Sequence, residues 1–373
     1  MIVKVNRGEF LKKLRTVEKA VTENKIKPII SCVYLETKED NTLFFCGTNL
    51  ELTITSTMKA EIEGNGKIVF VPQLIDEYIK ELSDDEILLK TEGTILTIET
   101  NDSSSEFSLM DADEFPRLPK SADTENIFFK MDSKELLDIF EKVKFSAAAS
   151  TDNLPLNCLR VEIKDKIAKF VSTDTYRLTY FEKEIQEDIE LNVSIPLNTI
   201  EAITKLLKSA DPTCIDISLQ ENQIYFITNN TEIVSRIIEL PFPNYTGILE
   251  NSQYNKKMIT FSDELVKVLK RVQIFVRSNP ESKYGAVFEF NNNILSMKGV
   301  SSVAKIKEDL NINYEGEELK ISLNVKFLLD FLQNFEKDTE IVVELKASNS
   351  SVRITSVDNK DYVYVVMPLA LKD

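Results

Sequence analysis

With no histidine in the chain, the side chains able to do acid–base or nucleophilic chemistry are carboxylates, lysines, tyrosines and four cysteines. Ser–His and Cys–His nucleophiles and His-ligated metals are thereby removed together. Cys32, Cys46, Cys158 and Cys214 are far apart in sequence and form no metal-ligand spacing, so they read as buried thiols of a reducing cytoplasm. Only 9 glycines are present, and they form neither a Gly-x-Gly-x-x-Gly run nor a phosphate-binding loop. What survives is carboxylate, Lys or Tyr chemistry, or Mg²⁺ held by Asp and Glu. Asp111, Asp113 and Glu114 form one such acidic run, but 61 acidic residues bring carboxylates close by chance. Just before Phe115-Pro116, the run reads as a solvated loop. No catalytic residue, metal ligand or cofactor is expected.

The basic residues offer a different chemistry, contact with phosphates. A formal net charge of −16 opposes nucleic acid at long range, yet the placement of the cations decides local binding. Lys12, Arg15 and Lys19 share one face of an expected helix opposite Leu14 and Val17, and Lys25 and Lys27 follow in a loop. Lys267, Lys270 and Arg271 share a face opposite Leu269 and Val272, with Arg277 near its edge. Lys80, Lys205, Lys208 and Lys326 lie in a second set of helices. A middle segment is less clean, because Lys134, Lys142 and Lys144 are interleaved with Glu135, Asp138 and Glu141. There is no base-reading motif and no aromatic stacking platform, so any nucleic-acid contact is to phosphates, weak and sequence-independent.

The elements that must position these residues recur. VNRGEFLKKLRTVEKAV (5–21) returns as MDSKELLDIFEKV from Met131 and TFSDELVKVLKRV from Thr260. Phe10, Leu136 and Leu265 match, as do Leu14, Phe140 and Leu269, and Val17, Val143 and Val272. That is the spacing of an amphipathic helix with one buried stripe. Asp132 and Ser262 stand where helix N-caps are expected, and Glu135 follows Asp132 by three. A second set, 70–82, 194–207 and 322–335, reads as short helices with Pro72 and Pro196 in the first turn and Asn324 in the same place. Each is followed by two alternating runs around a polar turn, the pattern of a β-hairpin: EILLKTEGTILTIET, CIDISLQENQIYFIT and EIVVELKASNSSVRITS.

At 373 residues with 43% hydrophobic content, the chain has material for several cores. The repeats divide it into three α+β domains, 1–120, 127–248 and 255–373, joined by PKSADTEN (119–126) and ENSQYN (250–255). The start, MIVKVNRGEF, carries no apolar run, so no signal peptide is expected, and no stretch approaches the roughly 18 apolar residues of a membrane helix.

The triplicate pattern, the segment Ser172-Thr173-Asp174-Thr175-Tyr176-Arg177-Leu178, the pair Phe242-Pro243 before Asn244-Tyr245, and the ending Tyr364-Val365-Val366-Met367-Pro368-Leu369 together resemble the bacterial DNA polymerase III β-subunit, or β sliding clamp, family. The likeness runs the length of the chain. It implies a DNA-clamp fold in which each of three repeated domains packs two helices on antiparallel sheets, and a ring-forming head-to-tail homodimer with helices lining the hole. Such a ring threads double-stranded DNA without catalysis of its own. It is opened by a clamp loader, and it tethers the DNA polymerase III catalytic subunit and other polymerases and repair proteins through their clamp-binding peptides. By motif, the resemblance places the peptide pocket on Leu156, Thr173, Thr175, Arg177, Leu178, Pro243, Ile248, Val365, Met367, Pro368 and Leu369.

It implies DNA-facing roles for Lys12, Lys19, Lys25, Lys27, Lys80, Lys205, Lys267, Lys270, Arg271 and Arg277. Phe107, Leu109 and Phe275 are implied at the dimer joint. The sequence departs from the family where Gly or Ser and then His commonly precede the Arg, for Thr175 and Tyr176 stand there. Leu74, Leu197 and Asn24 stand where basic residues are frequent. Two other readings are a carboxylate- or Mg²⁺-dependent enzyme on the same repeat, and a protein-interaction scaffold with no DNA role.

Overall fold

The alternating runs form antiparallel strands, and the two longest sheets are continuous from one sequence repeat into the next. The computed structural model describes residues 1–118, 120–122, 127–209, 213–228, 230–250, 253–279 and 282–370. The two connectors and the loop from Arg277 to Lys283 therefore fall partly outside the described residues. Among the described residues there are seven α-helices: α1 (Arg7–Glu18), α2 (Pro72–Glu81), α3 (Ser133–Lys144), α4 (Leu197–Ser209), α5 (Thr246–Glu250), α6 (Ser262–Val276) and α7 (Val325–Leu332). None is long and apolar enough to cross a membrane.

The three long repeat helices bury the predicted stripe: Phe10, Leu14 and Val17, then Leu136, Phe140 and Val143, then Leu265, Leu269 and Val272 are each at most 4% exposed. Their starts differ from one another. Asn6 caps α1, its Oδ1 accepting from the Glu9 N–H at 3.0 Å. Asp132 caps α3 as predicted, accepting from the N–H groups of Lys134 and Glu135. Ser262 does not cap α6. It is the first helical residue, and its hydroxyl donates to the Glu336 carbonyl at 3.2 Å instead. In the second set, Pro72 occupies the first turn of α2, whereas Pro196 ends a strand just before α4. Asn324 is the N-cap of α7, accepting from the N–H groups of Lys326 and Phe327.

Equivalent strands press directly against the long helices. A Cβ on Gly47 would lie 2.2 Å from the Val17 carbonyl oxygen, and one on Gly299 would lie 2.4 Å from Val276 Cγ1. The matching position of the middle repeat is Ser172, whose hydroxyl donates to the Val143 carbonyl. Two of the few glycines are thus required by close approach rather than by a turn.

The chain forms two compact units. The first comprises residues 1–137 and 198–237, the second 138–197 and 238–373. In the first, a five-stranded sheet runs Glu61–Gly64, Ile2–Asn6, Glu86–Glu92, Ile95–Glu99, Ser104–Ser108. An eight-stranded sheet joins the first repeat to the middle one by pairing Leu52–Lys59 with Thr231–Arg236, Ile54 opposite Ile233. In the second unit, a nine-stranded sheet joins the middle repeat to the third by pairing Arg177–Glu184 with Tyr362–Val366, Thr179 opposite Tyr364. A four-stranded sheet ends at strand Lys305–Asn311. The units cut through the middle repeat because each of its two sheets continues into a different neighbour.

Candidate functional site

The segment STDTYRLT folds as the turn between strands Ile167–Thr173 and Arg177–Glu184. Side chains stitch the turn: Asp174 Oδ1 accepts from the N–H groups of Tyr176 and Arg177, both at 3.0 Å, and the Thr173 hydroxyl donates to the Arg177 carbonyl at 2.7 Å. Thr175 has φ of +76°, a left-handed conformation that disfavours a β-branched residue. The Met367 N–H donates to the Tyr176 carbonyl at 2.8 Å, so the C-terminal strand leaves the sheet beside this turn.

Below the turn lies an apolar floor. Leu178 and Val365 sit opposite each other across the strand pair and pack with Val171, Tyr180, Tyr245 and Val363, with Phe242 against them. Tyr245 is fixed through its hydroxyl, which donates to Glu162 at 2.8 Å, and through its ring, 6.0 Å from Tyr180. Burial, and then the hydrogen bond to Glu162, push the Tyr245 hydroxyl far above its ordinary pKa. On the segments that carry this cluster, other apolar side chains are exposed: Tyr176 is 64% exposed, Ile248 45% and Met367 44%. A buried apolar cluster with exposed apolar residues on the segments that form it is chemistry suited to a short peptide.

Of the residues predicted for a peptide slot, Leu156, Thr173, Leu178 and Val365 are buried, and Thr175, Pro243, Ile248 and Met367 are exposed. Pro368 and Leu369 are half-buried, and Leu369 turns onto the four-stranded sheet, its N–H donating to the Ser322 carbonyl beside Gly285. Arg177 is spent internally. Its side chain is 9% exposed, with Nε at 3.0 Å from Asp174, Nη1 at 2.7 Å from Asp330, and its guanidinium 4.2 Å from the Phe327 ring centre. Burial opposes the charge, but Tyr364, Asp330 and Asp174 outweigh it and raise the pKa. The parts missed by sequence reasoning are the supports: Tyr245, Phe242, Phe327 and Asp330. Phe242 and Tyr245 belong to the quoted motif, whereas Phe327 and Asp330 face Arg177 only once α7 is folded, and no local pattern announces that.

The predicted basic residues divide by partner. Lys267 pairs with Asp263 at 2.5 Å, Arg271 holds Glu308 through two contacts of 2.9 and 2.7 Å, and Lys80 lies 3.9 Å from Glu81. Arg15, on the same face as Lys12, is held by Asp76 of α2. Lys12, Lys25, Lys27, Lys270 and Arg277 are exposed. Burial lowers the Lys19 pKa, and nearby Lys205 of α4 lowers it further, so α1 and α4 bring two cations together in the first unit. The structure also assigns the acidic run its part: Asp111 caps a 3-10 turn at Ala112–Glu114, and Asp113 pairs with Lys67. Among the described residues, no three Cys, Asp or Glu gather as metal ligands would. Cys46 is pushed up to about 12, and Cys32 and Cys158 to about 11, all by burial, while Cys214 is exposed.

At the predicted joint, Phe107 is half-buried against Tyr78, ring centres 5.6 Å apart, on edge strand Ser104–Ser108, and Leu109 follows it. Phe275 is half-buried, but its neighbour Ile274 is 59% exposed, an apolar residue that helical periodicity alone does not single out.

Three family models match in succession: the DNA polymerase III beta subunit N-terminal domain at residues 1–119, the central domain at 130–244 and the C-terminal domain at 251–370. A protein of Chlamydia muridarum named beta sliding clamp is 25% identical over 374 residues, covering 99% of each chain. The crystal structure of the DNA polymerase III beta subunit of Thermotoga maritima superposes with a TM-score of 0.91 at 27% identity, covering 100% of both chains. A sliding clamp of Pseudomonas aeruginosa, solved bound to griselimycin, superposes with a TM-score of 0.89 at 25% identity, again over 100% of both.

Proposed function

Because this chain belongs to the DNA polymerase III beta subunit family, we infer that two copies of it close head to tail into a ring around duplex DNA. It is a sliding clamp of DNA replication, a processivity factor without catalysis of its own, and DNA and a polymerase are its partners. The observation that carries the mechanism is the repeat of one joint. Leu52–Lys59 meets Thr231–Arg236, and Arg177–Glu184 meets Tyr362–Val366, each pair fusing one repeat's sheet to the next. Two sheets are left with unmatched edges of the same two kinds, Ser104–Ser108 and Lys305–Asn311. A second copy supplies the missing partner for each. The joint is heterologous and closes after two chains, giving a ring of six domains from repeats at 1–120, 127–248 and 255–373. Phe107, Leu109 and Phe275 lie at that joint.

Within such a ring the basic helix faces meet DNA. Lys12, Lys19, Lys25, Lys27, Lys80, Lys205, Lys267, Lys270, Arg271 and Arg277 face the phosphates, and Lys80, Lys267 and Arg271 also meet carboxylates of the chain. Contact is weak and independent of sequence, and retention comes from enclosure. The slot over Leu178 and Val365 receives a short peptide from the DNA polymerase III catalytic subunit, the clamp loader, or other polymerases and repair proteins. A related clamp that carries griselimycin supports a ligand-accepting surface in this family. The protein works in the cytoplasm, at replication forks on chromosomal DNA.

The test is retention on a nicked circular plasmid after loading by a cognate clamp loader with ATP, before and after the plasmid is linearised. Retention on the circle and loss from the cut DNA is the expected result. Equal retention on both would replace enclosure by direct binding.

A further inference from the structure

The two joints inside the chain fix the register of a third. Hairpin registers align the edge strands of the three repeats: Leu52–Lys59, Arg177–Glu184 and Lys305–Asn311 place Ile54, Thr179 and Ile306 at one position. On the opposing edges, Ile233, Tyr364 and Ser105 are equivalent by the same argument. Ile233 lies opposite Ile54 and Tyr364 opposite Thr179, so both internal joints use one register.

We propose that two copies of this chain join with Ser105 of one opposite Ile306 of the other, Glu106 opposite Lys305, and Ser104 opposite Lys307. The proposal rests on the ring reading and specifies its joint. Glu106 and Lys305 are exposed, and neither forms an ion pair within the chain among the described residues, so the edges carry opposite charges ready to pair. The inner faces complement in size as well: Ser105 meets Ile306, and half-buried Phe107 meets Ala304. A slip of one residue would turn Phe107 to the face of Lys305.

The internal joints also set which pairs are close. The Arg236 N–H donates to the Glu51 carbonyl at 3.0 Å and the Glu182 N–H to the Asp361 carbonyl at 2.9 Å, which makes Ile233–Ile54 and Thr179–Tyr364 the non-hydrogen-bonded pairs. Ser105 and Ile306 inherit that geometry, with Cα atoms about 4.5 Å apart, inside disulfide range.

The test uses the full chain with Cys214→Ser and the pair Ser105→Cys with Ile306→Cys, oxidised mildly and run on a non-reducing gel. Ser105→Cys with Ala304→Cys or Glu308→Cys reports a two-residue shift either way, and sedimentation of the unoxidised chain reports the dimer itself. A dimer cross-linked at least tenfold faster by the in-register pair is expected. A dimer that cross-links through a shifted pair, or through none, overturns the register while the ring stands. A chain that stays monomeric overturns the ring and this joint with it. Independently, Glu106→Lys and Lys305→Glu each raise the dimer dissociation constant about tenfold, since both joints of a ring are hit, and the double exchange restores it. Failure of that rescue counts against the pair.

Discussion

Arg177→Ala separates a residue that braces the proposed peptide slot from one that would touch its ligand. The wild-type guanidinium is 9% exposed and satisfies Asp174 and Asp330, whose side chains are 17% and 23% exposed. Its removal leaves two carboxylates facing the vacated space and strips the cover from Phe327. Breaking a buried pair costs about 3–5 kcal/mol, and a desolvated stack on an aromatic ring adds about 1–2 kcal/mol. Two effects reduce the total: the carboxylates keep some water, and Lys326 still holds Asp330 at 2.9 Å. A destabilisation of about 3 kcal/mol is the balance, and a urea slope of about 2–3 kcal/mol/M converts it to a midpoint lowered by about 1 M. Because a chain of several units need not unfold in one step, hydrogen exchange is read locally, on peptides covering 174–178 and 362–369. Both should lose protection, since the Met367 N–H is bonded to the carbonyl of the turn that Arg177 braces. Arg177→Lys keeps the charge but not the fork, and falls between. Unchanged exchange at 362–369, with a midpoint moved by less than about 0.3 M, would refute the bracing argument and return Arg177 to a direct ligand role.

Thr175→Gly relieves a left-handed β-branched residue and should stabilise the second unit by about 0.5–1 kcal/mol after the cost of glycine in the unfolded chain, read as a higher urea midpoint; a lower midpoint would mean the turn is not strained. Burial raises Cys32, Cys46 and Cys158 and leaves Cys214 exposed. An aromatic disulfide reagent at about pH 8 should therefore titrate one thiol in the native protein and all four of the chain's cysteines in denaturant. Fast reaction of a second native thiol would contradict the packing around these cysteines.

How much of this was legible depended on whether the signal was local. The buried stripe at Phe10, Leu14 and Val17 and its two repeats follows from helical spacing alone, and so do the hairpins from their alternation. Cap positions were less legible: Ser262 and Asn324 are both polar residues at helix starts, and only the folded backbone decides that Asn324 caps while Ser262 bonds to Glu336. The slot's motif was visible as a string, but its rigidity depends on Asp330, 153 residues from Arg177 in sequence. The basic faces were read from helix periodicity. Their neutralisation by Asp76 and Glu308 was not, because those carboxylates come from other elements, whereas Asp263, one turn before Lys267 on the same helix, was a pair that spacing alone could have announced.

Repetition also bears on which edges of an acidic chain are left to pair. An exposed sheet edge is a template for any passing strand, and a chain of three repeats with two internal joints keeps one edge of each kind. Had the repeats numbered one more or one fewer, the same two unmatched edges would remain, so the edges set the direction of assembly and not its size. The two internal joints share one register, so the two edges left over are of the kinds that already pair within the chain. The charges fit the same logic. In the proposed joint, Glu106 and Lys305 attract when unlike edges meet, whereas pairing of like edges brings like charges together, so a net charge of −16 discourages random aggregation while the proposed joint is locally attractive.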